Sequence, residues 1–340
     1  MARERRPTQA DVAAHAGVSS ATVSYVVRGQ RPNRRASASP EIVERVRQAM
    51  AELNYAPHWS GRALRSQRTR LLAVVTYSPL TPWAEELLSQ LQIVARRNNL
   101  EVILLRHGPH EDIQGHLVLL RDGLADAVVV IGFQDLGVEL QAEFAKLPTP
   151  TLVHAEGGPR GMSYLRQEER GAIRSALELL RGEGVETLQF VLDDVRRTDP
   201  SGSSRFRWAA EDTKSAWPGV RFEPVRQFDG AHPTHAAAAA LLEGVMALPS
   251  PALLCSSDRS AGTLLWAATQ RGIRVPDDLR IIGMGNAPLG LMTYPPLTTL
   301  GVLEPDYTAA MEHLVSRIEE PDVQPAPFDF PWELIRRESA

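Results

Sequence analysis

Between Thr8 and Val27 the chain reads TQADVAAHAGVSSATVSYVV. The pattern predicts a first helix running to about His15, with Thr8 as its N-cap and Val12 and Ala13 facing inward. Ala16 is small enough to let a second helix approach closely. Gly17 breaks the first helix and supplies a tight turn, and Ser19 then caps a second helix beginning at Ser20. Val12, Val18, Val23 and Val26 recur where two crossed helices bury a shared seam, which is helix-turn-helix spacing. A third helix is predicted in SPEIVERVRQAMAELNY. Ser39 is its N-cap, Pro40 takes the first helical position, and Glu41 complements the helix dipole. Its stripe of Ile42, Val43, Val46, Ala49, Met50 and Leu53 closes a three-helix core, and Pro57 ends that unit.

From Leu71 the pattern changes to short apolar runs alternating with longer amphipathic ones. LLAVVTY, LEVILLRH, ADAVVVIG and TPTLVHA read as buried strands, separated by the helix AEELLSQLQIVARRNN, a helix around Gly115–Arg121 and a further helical stretch. A second set begins near Glu169. It comprises the helices GAIRSALELLRGEG, RFRWAAEDTKSAW, THAAAAALLEGVMAL and AGTLLWAATQRG and the strands TLQFVL, FEPVRQF, PALLCSS and LRIIGMG. Such β-α-β repetition implies right-handed, doubly wound parallel sheets. Two lobes of this kind with a cleft between them describe a type I periplasmic-binding-protein-like α/β body behind an all-α helix-turn-helix head. Ligands are expected outside the carboxyl ends of the strands.

At 340 residues the chain exceeds one ordinary domain. Its 43% hydrophobic and 23% charged residues argue against disorder. No run of 18 apolar residues exists, so no membrane span is expected. MARERRPTQAD carries positive charge without the apolar stretch of a signal peptide. A single cysteine, Cys255, makes no internal disulfide and fits a reducing cytoplasm; at the end of an apolar strand it reads as a packed small hydrophobe. The net charge of −4 hides an asymmetry: residues 1–70 hold 13 arginines against five acids, a net +8, leaving −12 for the rest. A basic head on an acidic body suits a polyanionic partner, and the helix-turn-helix inside it selects double-stranded DNA over a merely solvated tail. The expected location is therefore the cytoplasm, on the nucleoid.

Catalysis finds no support. GMGN and GHL lack the strand–GxGxxG–helix context of a dinucleotide site, and no GxSxG elbow occurs. The nine histidines are scattered; His107, His110 and His116 come closest to one another, in what reads as a surface loop and helix. No enzyme activity, cofactor or metal is expected.

The stretches DVAAHAGVSSATVS, VRQAMAELNYAP and GRALRSQRT resemble the head and hinge of the lactose/galactose-repressor (LacI/GalR) family. The resemblance implies that the second helix enters the major groove with its first residues on base edges. The implied DNA contacts are Thr8, Ser19, Ser20, Ala21, Thr22, Ser24, Tyr25 and Arg28 in the head, and Tyr55, His58, Arg62 and Leu64 at and beyond its end. Leu64 matches the family's hinge leucine, which pries open the central minor-groove step. There are departures: Tyr25 stands where arginine is common, Arg28 and His58 where asparagine is common. The loop GQRPNRRASA is several residues longer than usual and carries three arginines. Extra phosphate contact and a solvated loop are both open readings of it.

The body resembles the family through PALLCSSDRSAGTLLWAATQRGIRVPDDLRIIGMGN, PPLTTL and ELIRRES. The effector-site residues this implies are Leu80 and Trp83, where the first strand opens into the cleft, then Arg205, Phe228, Ser257, Asp258, Gly285 and Asn286. Here too the chain departs. Gly285 replaces a usual aspartate, Ser257 replaces an asparagine, and RQEERG (residues 166–171) replaces a stretch that usually holds an Asp-Asn pair. Each lost acceptor weakens a hydroxyl-rich ligand by about 1–3 kcal/mol. A sugar, another metabolite, or no effector at all therefore remain open. The expected division is 1–56 head, 57–69 hinge and 70–337 body. One lobe takes about 70–164 and 288–318, the other about 165–287 and 319–337. The expected assembly is a homodimer on a pseudo-palindromic operator, since no leucine heptads follow ELIRRES. The expected function is a ligand-responsive repressor of a metabolic operon; the alternative is a regulator whose body serves only dimerisation or protein contact.

Overall fold

The structure, a computed structural model, describes residues 7–27, 39–56, 67–77, 80–108, 113–133, 136–159, 161–192, 203–226 and 234–340. It divides into two units, 1–70 and 71–340.

In the first unit, α1 (Gln9–Ala16) starts in a reciprocal capping box. The Thr8 hydroxyl accepts from Asp11 N–H, and the Asp11 carboxylate accepts from Thr8 N–H at 2.7 Å. Gly17, at φ +63°, ends the helix with its N–H on the Ala13 and Ala14 carbonyls. Next, α2 (Ser20–Val27) is capped by Ser19, whose Oγ accepts from Thr22 N–H at 3.1 Å. α3 (Pro40–Glu52) is capped by Ser39 with Pro40 inside the first turn. The core of this unit is Val12, Ala13, Ala16, Val23, Val46 and Ala49, with Val18, Val26, Ile42, Met50 and Leu53 packed around it.

The second unit holds two six-stranded sheets. The first has strand order β11-β5-β4-β3-β1-β2, built from β1 (Leu71–Tyr77), β2 (Glu101–His107), β3 (Ala127–Val130), β4 (Thr151–His154), β5 (Ser163–Glu168) and β11 (Pro327–Pro331). All its pairings are parallel. One face, carrying Leu72 and Val74, packs on α4 (Pro82–Arg97) and α11 (Thr308–Glu319); the other, carrying Ala73 and Val75, packs on α5 (Gln114–Arg121) and α6 (Val138–Phe144). Burial on both faces explains why these strands read as unbroken apolar runs.

The second sheet has order β12-β10-β9-β8-β6-β7: β6 (Thr187–Leu192), β7 (Arg221–Arg226), β8 (Pro251–Cys255), β9 (Arg280–Met284), β10 (Thr298–Gly301) and β12 (Glu333–Ile335). Only β12 runs antiparallel to its neighbour. Leu188, Phe190 and Leu254 face α7 (Arg170–Gly182) and α8 (Ser204–Ala216). Val191, Leu253 and Cys255 face α9 (His235–Val245) and α10 (Asp258–Gln270).

Three expectations need correction. Residues 298–301 belong to the second sheet and 327–331 to the first, opposite to the lobes expected for them, whereas helix 308–319 packs on the first sheet and 333–335 joins the second, as expected. An apolar strand such as TTL carries no record of which sheet it joins; β9 provides its partner edge. β5 was not anticipated as a strand, because SYLRQE alternates buried and partly exposed positions beside the edge strand β11 instead of forming an apolar run. His107 is not in a surface loop: its side chain is buried at the end of β2, with its ring 6.3 Å from that of His116. His110 lies outside the described residues.

Candidate functional site: a DNA-reading head and a polar cleft

In the head, Ser19, Ser20 and Ala21 are exposed at the start of α2, with Thr22, Ser24 and Tyr25 partly so. Two contacts fix the helix start: Gln9 Nε2 donates to Ser20 O at 3.0 Å, and the Ser19 and Thr22 hydroxyls lie 2.9 Å apart. Ser20, Ala21 and Tyr25 therefore form the surface nearest this helix start, while the Ser19 and Thr22 hydroxyls are occupied with each other. Thr8 serves as a cap, and Tyr55 packs partly against the head core. His15 Nε2 meets Glu52 Oε2 at 2.6 Å, tying α1 to α3; this contact, followed by Gln48, holds the Glu52 carboxyl below its ordinary range. Arg45 and Arg47 are exposed on α3, available to phosphates. Arg28, the loop 29–38, His58, Arg62, Leu64 and Phe228 lie outside the described residues.

In the body, polar groups gather where β4 and β5 end. Arg205, in the first turn of α8, donates to both Glu169 oxygens at 2.6 Å and to Ser256 O at 2.7 Å, and lies 4.7 Å over the Trp332 ring. Glu169 immediately follows β5, so this fork joins the strand-end crossover to the second lobe. Trp83, in the first turn of α4, packs its ring 4.5 Å from His154 at the end of β4. Leu80 packs partly buried on the same core. Burial, then the Arg205 charge, push the His154 imidazole down to about 4, so it is neutral at pH 7. Gln167 lies beside both His154 and Tyr307. Burial raises the Tyr307 phenol to about 12. The Trp332 indole N–H is buried without a hydrogen-bond partner among the described residues.

Four residues expected to face an effector are instead engaged with the fold. Ser257 caps α10, its hydroxyl accepting from Ser260 N–H at 3.2 Å. Asp258 is buried and accepts from Ala287 N–H and the Thr299 hydroxyl, both at 2.5 Å; desolvation still raises its carboxyl above the ordinary range. Asn286 donates to Val302 O at 3.0 Å and accepts from Arg337 at 2.8 Å. Gly285 sits at φ +123°, a backbone that an aspartate adopts only with strain. These contacts clamp β8, β9, β10 and β12 together. The residues that sequence reasoning missed are His154, Gln167, Glu169, Tyr307 and Trp332. Glu169 lay in the RQEERG stretch read as a loss of acceptors, yet it returns a carboxylate to Arg205.

Comparison with known proteins agrees with this construction. Residues 8–58 match the family described as bacterial regulatory proteins, lacI family, and residues 177–340 match a periplasmic binding protein-like domain. The chain is 26% identical over 345 residues to the HTH-type transcriptional regulator GntR of Pseudomonas aeruginosa, covering 98% of this chain and 96% of that protein. It is 26% identical over 342 residues to the ribose operon repressor of Halalkalibacterium halodurans, covering 97% and 96%. The crystal structure of the lac repressor dimer bound to operator and the anti-inducer ONPF superposes with a TM-score of 0.74 at 20% identity, covering 98% and 99%, and shares the fold. The class is a helix-turn-helix transcription regulator with a two-lobed α/β body. The chain carries a lacI-family helix-turn-helix domain joined to a periplasmic-binding-protein-like domain, and the relatives it matches are transcription regulators. No helix among the described residues is long and apolar enough to cross a membrane.

Proposed function

We propose that this protein is a repressor that binds a pseudo-palindromic operator as a homodimer, with DNA affinity set by a neutral, polar small molecule held between the body's lobes. The observation that carries the effector reading is the gathering of Arg205, Glu169, His154, Gln167 and Trp83 where β4 and β5 end. Paired polar side chains beside an aromatic ring are what a hydroxyl-bearing ligand would meet. Because Glu169 already neutralises Arg205 and His154 is uncharged, the cleft favours a neutral molecule over an anion. A sugar fits this chemistry, and the ribose operon repressor's name points the same way. The chain crosses between the sheets after β5, after β10 and after β11, so closure of the lobes on a ligand moves three connections at once. An effector then shifts DNA affinity by its differential affinity for the open and closed states. Leu64 of each hinge is assigned to the operator's central step, and Ser20, Ala21 and Tyr25 to base edges. The controlled genes are metabolic.

Thermal melting of the full chain against a panel of neutral sugars and purines tests the effector reading. A matching ligand at about a hundred times its Kd stabilises by about 2.7 kcal/mol, and Gln167→Ala should abolish that rise. If no compound of either class raises Tm or alters operator binding, the body serves dimerisation alone.

A further inference from the structure

The sequence of α2, SATVSYVV, contains no arginine, lysine, histidine, asparagine, glutamine, aspartate or glutamate. Val23 is buried against α1 and α3, which turns Ser20, Ala21 and, one turn on, Ser24 and Tyr25 away from the core. Ser20 and Ala21 are exposed, Ser24 and Tyr25 partly so. At the helix start the Ser19 and Thr22 hydroxyls lie 2.9 Å apart, and Ser19 Oγ also accepts from Thr22 N–H. Gln9, the one amide side chain of α1, is turned back onto α2, its Nε2 donating to Ser20 O at 3.0 Å.

This composition bears on which base pair the helix selects. In the major groove, guanine is read by the donors of arginine or lysine, adenine by the paired donor and acceptor of asparagine or glutamine, and cytosine by a carboxylate. None of these groups is present in α2. Hydroxyls such as those of Ser20 and Tyr25 bond to donors and acceptors alike and discriminate little. The Ala21 methyl behaves differently. The one apolar group that any base presents in this groove is the thymine C5 methyl, so a contact between the two methyls gains burial there. At any other base the same alanine covers a polar edge without pairing it, which costs free energy.

We propose that α2 selects a T·A pair at the position facing Ala21, through the thymine methyl, and makes no bidentate contact to any base. This rests on the reading of α2 as the helix that enters the major groove.

The test starts from the two-fold symmetric site that the full-length protein selects from random DNA. Selection is repeated with Ala21→Gln, whose added amide suits adenine, so the position whose preference moves is the one that residue 21 faces. For the unaltered protein that position should be a T·A pair. Deoxyuridine in place of its thymine, which removes the methyl alone, should weaken binding about fourfold. Ala21→Gly should bind the two duplexes equally, whereas a folding defect alone lowers both affinities and leaves their ratio in place. A G·C pair at that position, an unmoved preference in Ala21→Gln, or a deoxyuridine duplex bound as tightly as the thymine one would overturn the proposal with the head still a reader of sequence. Selection of no site at all would overturn the reading beneath it, and the proposal with it.

Discussion

Replacing Val23 with aspartate is expected to abolish DNA binding while leaving residues 71–340 folded. Val23 is fully buried among Val12, Ala13, Ala16, Val46 and Ala49, which together make the whole buried core of the head among the described residues. An ionised carboxylate placed there has no cationic partner, and the cost of several kcal/mol matches the entire stability of so small a unit. None of the clusters that hold the body together contains a head residue, so the loss should be confined. Gel shifts should show affinity for any duplex reduced at least a hundredfold. Thermal melting should retain the transition of the body. Unimpaired operator binding by this variant would mean that the head is not the DNA-binding unit.

The second large effect is expected at the Glu169–Arg205 fork. Removing one partner of a buried ion pair leaves the other charge desolvated and unpaired, at about 3–5 kcal/mol when burial is complete. A quarter of the Arg205 side chain is exposed against a tenth of Glu169, so Glu169→Ala should cost roughly 2–4 kcal/mol of body stability by chemical denaturation. Adding Arg205→Met should recover much of that loss, since the methionine suits the Trp332 face without needing a carboxylate. If the double variant is no more stable than Glu169→Ala, the fork is not an energetically coupled pair.

What could be read from the sequence divides along the range of the interactions involved. Caps and turns are local: Thr8, Gly17, Ser19 and the Ser39–Pro40 pair marked the head's helices because each acts within four residues of itself. Strands buried on both faces, such as LLAVVTY and PALLC, were equally legible. Pairing across the chain was not. Nothing in PPLTTL or FDF states that the first joins β9 and the second joins β5, more than 150 residues away in sequence. The cleft suffered similarly. Arg205 could be singled out, but its partner Glu169 is 36 residues away, inside a stretch notable only for what it lacked. Asp258 and Asn286 looked like ligand contacts because polar residues after strands usually face a cleft, whereas here the backbone N–H of Ala287 and the Arg337 guanidinium occupy them. His154 and Trp332 carried no local signal at all.

The central claim is that α2 reads a specific DNA sequence. The measurement that tests it most directly is selection of bound duplexes from a random library by the full-length protein, followed by titration of the winning site against an unrelated duplex. The expected result is a two-fold symmetric sequence bound at least about a thousandfold more tightly than the unrelated DNA at physiological salt, with Leu64→Ala losing most of that preference. Equal affinity for all duplexes, falling with salt alone, would contradict the account: the basic head would then be an electrostatic anchor and not a reader of sequence.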